Sequence, residues 1–340
     1  MSLPPPKVSV LIPTYNYARY LPEAIESILA QDFVDFELLI SDDSSADDSA
    51  EVIARYAAKD KRIRFQIHSV RLGMVYNWNW CLSNARGEYI KFVFGDDKLV
   101  GSQALSKLVG LMESNPSAAL AASARYLIGS NSEILKTWDD FAKPGLHKGT
   151  EVICQCLKED RNLVGEPSVV LFRKRHAARG FCPRYRQLVG LEFWFCLLEK
   201  GDFVYTREPL CCFRKHAGQQ TEVNDATDIG KWEVLQLFED YHTRSYSKVR
   251  GLQLRQFNRL YEMRKKRKRT EHVPVEMIEM ENELSSHISR FLYVAYWSRR
   301  RVTRPIDNLL RWLEQRRRSR CRVPAATLAQ STSYDNYDPQ

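Results

Sequence analysis

No run in this 340-residue chain approaches the roughly 18 to 20 consecutive apolar residues that would span a bilayer. Residues 1–7 also lack the basic flank and apolar core of a signal peptide, so a cytoplasmic protein is expected. The eight cysteines show no repeated CxxC spacing and sit mostly in apolar segments. That argues for reduced core thiols rather than zinc sites or disulfides. No GxGxxG follows the first apolar run, which removes direct support for a dinucleotide-binding site. Internal repeats and long low-complexity tracts are missing as well. What remains is a 44% hydrophobic chain, long enough for one large α/β domain with an appendage.

Charge is distributed unevenly. Between Lys248 and Arg320 stand 20 Lys and Arg against 8 Asp and Glu, a surplus of 12 within the net +9; the rest of the chain holds 31 against 34, or -3. The basicity therefore belongs to the C-terminal segment and says little about the first two thirds.

Those two thirds alternate short apolar runs with helix signals. Residues 7–13 (KVSVLIP) read as a strand that feeds Thr14-Tyr15-Asn16. Leu21, Ile25, Ile28 and Leu29 recur at helical spacing behind Pro22. A second strand at 36–40 ends on Ser41-Asp42-Asp43, and a helix carrying Val52, Ile53 and Tyr56 precedes a third strand at 63–67. A helix over 73–83, with Gly87 as its left-handed cap, leads to the run 89–94 and then Gly95-Asp96-Asp97. This βαβαβ order predicts a doubly wound sheet with ligands outside the carboxyl ends of its strands. Residues 13–16, Asp42-Asp43, the loop 68–73 and Asp96-Asp97 are thus expected on one rim. Two adjacent carboxylates repel, and a shared cation would relieve them; Gly-Asp-Asp is also ordinary turn chemistry. Beyond residue 118 the pattern loosens, with strands expected at 119–124, 126–128, 168–172, 203–205 and 210–214 and helices at 149–157 and 188–200.

Six segments in order, VSVLIPTYN (8–16), LISDDSS (39–45), Arg71-Leu72-Gly73, GEYIKFVFGDD (87–97), Leu191-Glu192-Phe193-Trp194 and FRKHAGQQ (213–220), resemble the inverting glycosyltransferases of family 2 with the GT-A fold. The resemblance spans about residues 7–222. It implies a Rossmann-like doubly wound mixed sheet, with a nucleotide-sugar-binding half at 7–115 and an acceptor half at 116–222. It further implies Mg2+ or Mn2+ ligated by Asp97, with His216 completing the metal site or meeting phosphate. Asp96 would lie against the ribose or support the metal through water. Asp43 would accept from the nucleobase, Pro13, Thr14, Tyr15 and Asn16 would line the nucleotide pocket, and Arg71 would meet base or phosphate. Asp43 could instead cap a helix ahead of Ser44-Ser45, and Arg71 and His216 could be solvated loop charges.

The resemblance departs at the base. Relatives carry an Asp two residues before the acid that precedes the aromatic pair, and here that position is Gly190. Glu192 is the nearest carboxylate and the expected catalytic base, although on a continuous helix it points about 200° away from position 190. Cys196 stands where relatives often carry Arg. The expected reaction is inverting, metal-dependent transfer of a sugar from a nucleotide diphosphate sugar to a saccharide or lipid-linked saccharide acceptor, in cell-surface polysaccharide or lipopolysaccharide assembly. A silent nucleotide-sugar-binding or scaffold protein and a sugar nucleotidyltransferase are the alternatives. The latter should carry a glycine-rich basic loop after the first strand, which Pro13-Thr14-Tyr15-Asn16 is not.

Residues 223–324 read as a helical basic extension and 325–340 as a disordered tail. The run 264–269 (RKKRKR), the apolar-aromatic run 291–297 (FLYVAYW) and the arginines that follow it suit an anionic membrane surface. A solvated basic face on a packed helical subdomain is the other reading. No nucleic-acid recognition motif accompanies the charge, so no nucleic-acid partner is expected.

Overall fold

The order of the strands decides where this protein can hold a ligand. The computed structural model describes residues 4–141, 143–221, 224, 229–241 and 244–246. The basic runs, the expected membrane-facing segment and the tail at 325–340 lie outside these residues.

The first four strands are β1 (Val8–Thr14), β2 (Phe36–Asp42), β3 (Ile63–Ile67) and β4 (Tyr89–Phe92). They pair in parallel in the order β3-β2-β1-β4. The chain steps outward from β1 twice and then returns to its other side, so the strand order reverses between β1 and β4. At such a reversal the connecting loops part and leave a crevice at the carboxyl ends. Thr14 ends β1, and the acid pair follows β4.

The sheet continues through β9 (Val170–Arg173), antiparallel to both β4 and β6 (Ala118–Ile128), and then β10 (Asp202–Arg214), parallel to β6. The short strand β5 (Lys98–Leu99) closes that side, while β7 (Ile134–Trp138) and β8 (Gly145–His147) pair with β6 and β10. The sheet is therefore mixed, as expected for the second half. The two strands expected at 119–124 and 126–128 are one, because Arg125 sits in register without breaking the ladder. Likewise 203–205 and 210–214 join into β10 over irregular pairing at Thr206 and Pro209.

Helices cover both faces. Alternation along β1 sends Val8, Val10 and Ile12 to a core shared with α1 (Leu21–Leu29), α2 (Ser49–Ala57) and α4 (Ala104–Glu113). Leu11 points the other way, toward α3 (Met74–Asn84), α5 (Gly149–Glu159), α6 (Val189–Leu198) and α7 (Ile229–Tyr241). All ten residues of α6 are buried, which explains why every one but Glu192 is apolar or glycine. Gly87 is not the cap of α3; that helix ends on extended Ala85. Glycine is required at 87 because a Cβ there would stand 2.4 Å from the Ser9 backbone nitrogen. The described cysteines are free thiols, and among the described residues no helix is long and apolar enough to cross a membrane.

Candidate active site

Four polar strand ends do converge on the β1/β4 crevice. The backbone N–H of Asp43 donates to Thr14 O at 2.9 Å, stitching the ends of β1 and β2 together. Asn16, at a left-handed φ of 56°, donates its N–H to Ser45 Oγ and accepts from Ala46 N. Asp42 holds Ser45 by its hydroxyl and its N–H, and Asp47 Oδ2 accepts from Ala18 N. The loops after β1 and β2 are thus cross-braced before any ligand arrives.

Asp43 is buried and spends both carboxylate oxygens on backbone N–H groups, Oδ1 on Leu72 at 2.6 Å and Oδ2 on Gly73 at 2.9 Å. It does not cap a helix: the residue ahead of α2 is Asp48. Each oxygen retains a second lone-pair site, so the carboxylate can shape the 68–73 loop and still accept from a ligand. That loop brings the exposed Arg71 guanidinium to 4.0 Å from the centre of the Tyr15 ring, a cation–π contact that places Arg71 and Tyr15 on one rim. Replacing Asp43 by Asn turns one acceptor into a donor facing a donor. It is expected to cost about 1 to 3 kcal/mol, read as a lower urea midpoint with faster hydrogen exchange at the Leu72 and Gly73 amides.

The acid pair sits deeper. Gly95 permits it, since a Cβ at 95 would meet Thr14 Oγ1 at 2.7 Å. Asp97 is fully buried; its Oδ1 accepts from Arg214 N at 2.9 Å, and its Oδ2 has no aligned hydrogen-bond donor, with the Ser168 side chain beside the carboxyl group. Thr14 Oγ1 is a second buried oxygen without one. Burial, with Asp96 beside it, pushes the Asp97 carboxyl well above the usual carboxylate range. Asp96 Oδ2 lies 3.1 Å from His216 Nε2. Because His216 Nδ1 accepts from Gly218 N, Nε2 is the nitrogen that carries the proton and donates to Asp96. Tyr17 and Tyr20 pack on the His216 ring, with centroids 5.6 and 4.9 Å away. Burial and the two carboxylates raise the Tyr17 phenol above its ordinary value.

Behind the acids is Arg214, at the end of β10. It is 1% exposed. Its Nε donates to Asp96 O at 2.6 Å, Nη1 to Gly129 O and Ser132 Oγ, and Nη2 to Glu23. All of its fork is used inside the protein, so Arg214 positions the acids rather than meeting a ligand.

Lys91, on β4, is a second internal cation that sequence reading passed over. It is wholly buried and its Nζ donates to Ser168 O. Burial lowers its ammonium to about 8. Between that value and 10.5 the unfolded chain binds a proton that the folded chain does not, so stability rises with pH across this window. Wild type is expected to gain about 3 kcal/mol relative to Lys91→Met as pH goes from 8 to 10.5, measured by paired denaturant titrations.

The acceptor side differs from expectation in its geometry. α6 is helical across both Gly190 and Glu192, so Glu192 does not swing toward the face of position 190. Its side chain is 3% exposed and bound by both oxygens to Arg179, each at 2.6 Å, with Tyr241 OH at 3.2 Å from Oε1. A Cβ on Gly190 would meet only Pro167 at 3.5 Å and Trp194 Nε1 at 3.7 Å, ordinary van der Waals contact. The structure therefore gathers Pro13, Thr14, Tyr15, Asn16, Asp43 and Arg71 with Asp96, Asp97 and His216, and sets Glu192 in an internal ion pair.

Known proteins resemble this chain. The sequence profile described as Glycosyl transferase family 2 matches residues 9–177. An uncharacterized glycosyltransferase of Methanocaldococcus jannaschii is 32% identical over 212 residues, covering 62% of this chain and 71% of that protein. A GalNAc(5)-diNAcBac-PP-undecaprenol beta-1,3-glucosyltransferase of Campylobacter jejuni is 36% identical over 148 residues; the match covers 43% of this chain and 46% of that protein, less than half its length. Among solved structures, S. aureus TarS 1-349 in complex with UDP-GlcNAc superposes with a TM-score of 0.59 at 16% identity, over 82% of this chain and 79% of that one. The mannosyltransferase PcManGT of Pyrobaculum calidifontis, with GDP-Man and Mn2+, gives 0.54 at 14%, over 90% and 88%. At such identities the structures speak for the fold, which is GT-A-like, and the sequence matches speak for the family. By its sequence, the chain belongs to glycosyl transferase family 2.

Proposed function

We propose that the protein transfers a sugar from a nucleotide diphosphate sugar to an acceptor hydroxyl with inversion, in a metal-dependent reaction of cell-surface glycan assembly. The observation that carries this reading is the pair of buried oxygens without an aligned hydrogen-bond partner, Asp97 Oδ2 and Thr14 Oγ1, at the point where strand order reverses. Native interiors rarely leave such atoms unpaired, and a carboxylate oxygen without an aligned donor is what an oxygen-seeking cation takes.

The donor set fits a divalent ion that shares its shell with a ligand. Among the described residues no group of three or more His, Cys, Asp or Glu is arranged to hold an ion alone, and Mg2+ in particular is commonly bound by one or two carboxylates with substrate phosphates. Asp97 would hold the ion, with Asp96 and His216 beside it. Such an ion supplies charge neutralisation for the leaving diphosphate. Asp43 and the Tyr15–Arg71 pair frame the base and ribose, and residues 13–16 line the pocket. A lipid-linked saccharide acceptor is supported by the Campylobacter relative, whose described substrate is of that kind.

Thermal-shift measurements with UDP-, GDP- and dTDP-sugars, with and without Mn2+, test the reading. One donor is expected to raise the melting temperature in a Mn2+-dependent way, and the effect should vanish in Asp97→Ala. No response to any donor would overturn it.

A further inference from the structure

Within the transferase reading, on which the following rests, the attacking hydroxyl still needs a base, and Gly190 supplies none. The segment Gly165-Glu166-Pro167-Ser168 faces that gap, because Pro167 is the nearest neighbour a side chain at 190 would touch. It is also fastened to the acid-bearing strand: Ser168 Oγ accepts from Phe94 N at 3.1 Å, and Lys91 grips Ser168 O. From the other side Trp194 Nε1 and Asn162 Nδ2 both donate to Gly165 O, at 2.9 and 3.0 Å. A carboxylate carried here is held as rigidly as one on a strand, which is what proton transfer at a defined distance requires.

Glu166 has the properties Glu192 lacks. Its side chain is 27% exposed, against 3% for Glu192. Arg125 holds both of its oxygens, Oε1 accepting from Nη2 at 3.0 Å and Oε2 lying 2.6 Å from Nε in the same ion pair. Arg125 is itself fixed by Asp140 at 2.9 Å and by the face of Trp138 at 4.7 Å. It thereby orients Glu166 from behind.

We propose that Glu166 is the base: its carboxylate takes the proton of the acceptor hydroxyl in the place that Gly190 leaves open. As the proton moves to Glu166, the hydroxyl oxygen forms its bond to the anomeric carbon. The bond from that carbon to the diphosphate oxygen breaks, and its electron pair leaves with the nucleoside diphosphate. Water can stand in for the acceptor, so donor hydrolysis reads the same step.

The test is release of nucleoside diphosphate from UDP-GlcNAc, UDP-glucose and GDP-mannose with Mn2+ by the full-length chain. Glu166→Gln is expected to lower kcat by about 10²- to 10⁴-fold with donor KM within about threefold of wild type. Formate should restore Glu166→Ala, and a Gly190→Asp change should restore Glu166→Gln, each by about tenfold or more. Should the Gln variant fail to fold, Glu166→Asp keeps the charge for Arg125 but withdraws it by one methylene; it should melt with wild type yet turn over about tenfold more slowly. Wild-type turnover in Glu166→Gln, or a loss confined to donor KM, overturns the assignment. Absence of release by wild type from all three donors overturns the transferase reading and the assignment with it, and wild-type turnover tells the two failures apart.

Discussion

Asp97→Asn is expected to abolish sugar transfer while making the protein harder to unfold. The two effects share one cause. Asp97 is a buried carboxylate with an oxygen that has no aligned donor, and Asp96 repels it. An amide of the same shape removes the charge, which is expected to stabilise the metal-free protein by on the order of 1 kcal/mol at neutral pH. The sign follows from the raised carboxyl. Stability tied to Asp97 is fully present below its unfolded pKa of about 3.9 and is lost as pH rises through the folded value. The advantage of the Asn variant over wild type should therefore be greatest near neutrality and shrink toward pH 4, as urea midpoints at several pH values would show. Activity runs the other way. An amide is a poor ligand for a divalent ion, and losing several kcal/mol of charge stabilisation lowers kcat by roughly 10³-fold. A variant both less stable and inactive would point to a packing role for Asp97 instead.

Arg214→Met should be the most destabilising single change at the site. The side chain is 1% exposed and serves Asp96 O, Gly129 O, Ser132 and Glu23 together. Glu23 would keep Lys98, but the carbonyls would be left without donors in the interior. Removing one partner of a buried charge network costs about 3 to 5 kcal/mol, a fall of about 10 °C in melting temperature for a domain of this size. Arg214→Lys should recover only part of this, because an ammonium cannot reproduce the planar fork. Differential scanning calorimetry of the two variants measures the gap.

Much of the donor half is legible in the sequence for a simple reason. Strands β1, β2 and β4 are buried on both faces and end abruptly on polar residues, so apolar runs and their stops coincide with strands and the loops that follow them. The acceptor half follows no such rule. β7 is exposed through Ile134-Leu135-Lys136-Thr137, so burial imposes no pattern on it. Strand β10 hides behind Arg207-Glu208-Pro209, which looks like a turn but is absorbed by irregular pairing with β6. Side-chain partners are harder still. His216 meets Asp96 across 120 residues, and only the family resemblance brought them together. Nothing in the spacing marks Arg179 as the partner of Glu192, or Arg125 as that of Glu166. Gly87 was legible as a glycine with a purpose, but its purpose is close approach of two backbones, which no local pattern records.

The space around Gly190 carries a consequence for how such proteins diverge. A Cβ there makes only ordinary contacts with Pro167 and Trp194, so the first atom of a side chain can arrive at or depart from this helix without displacing its neighbours. Gly and Asp codons differ by a single nucleotide. A side chain at 190 can therefore be gained or lost in one mutational step, while Arg214, braced by Glu23, holds the segment of Asp96 and Asp97 in place.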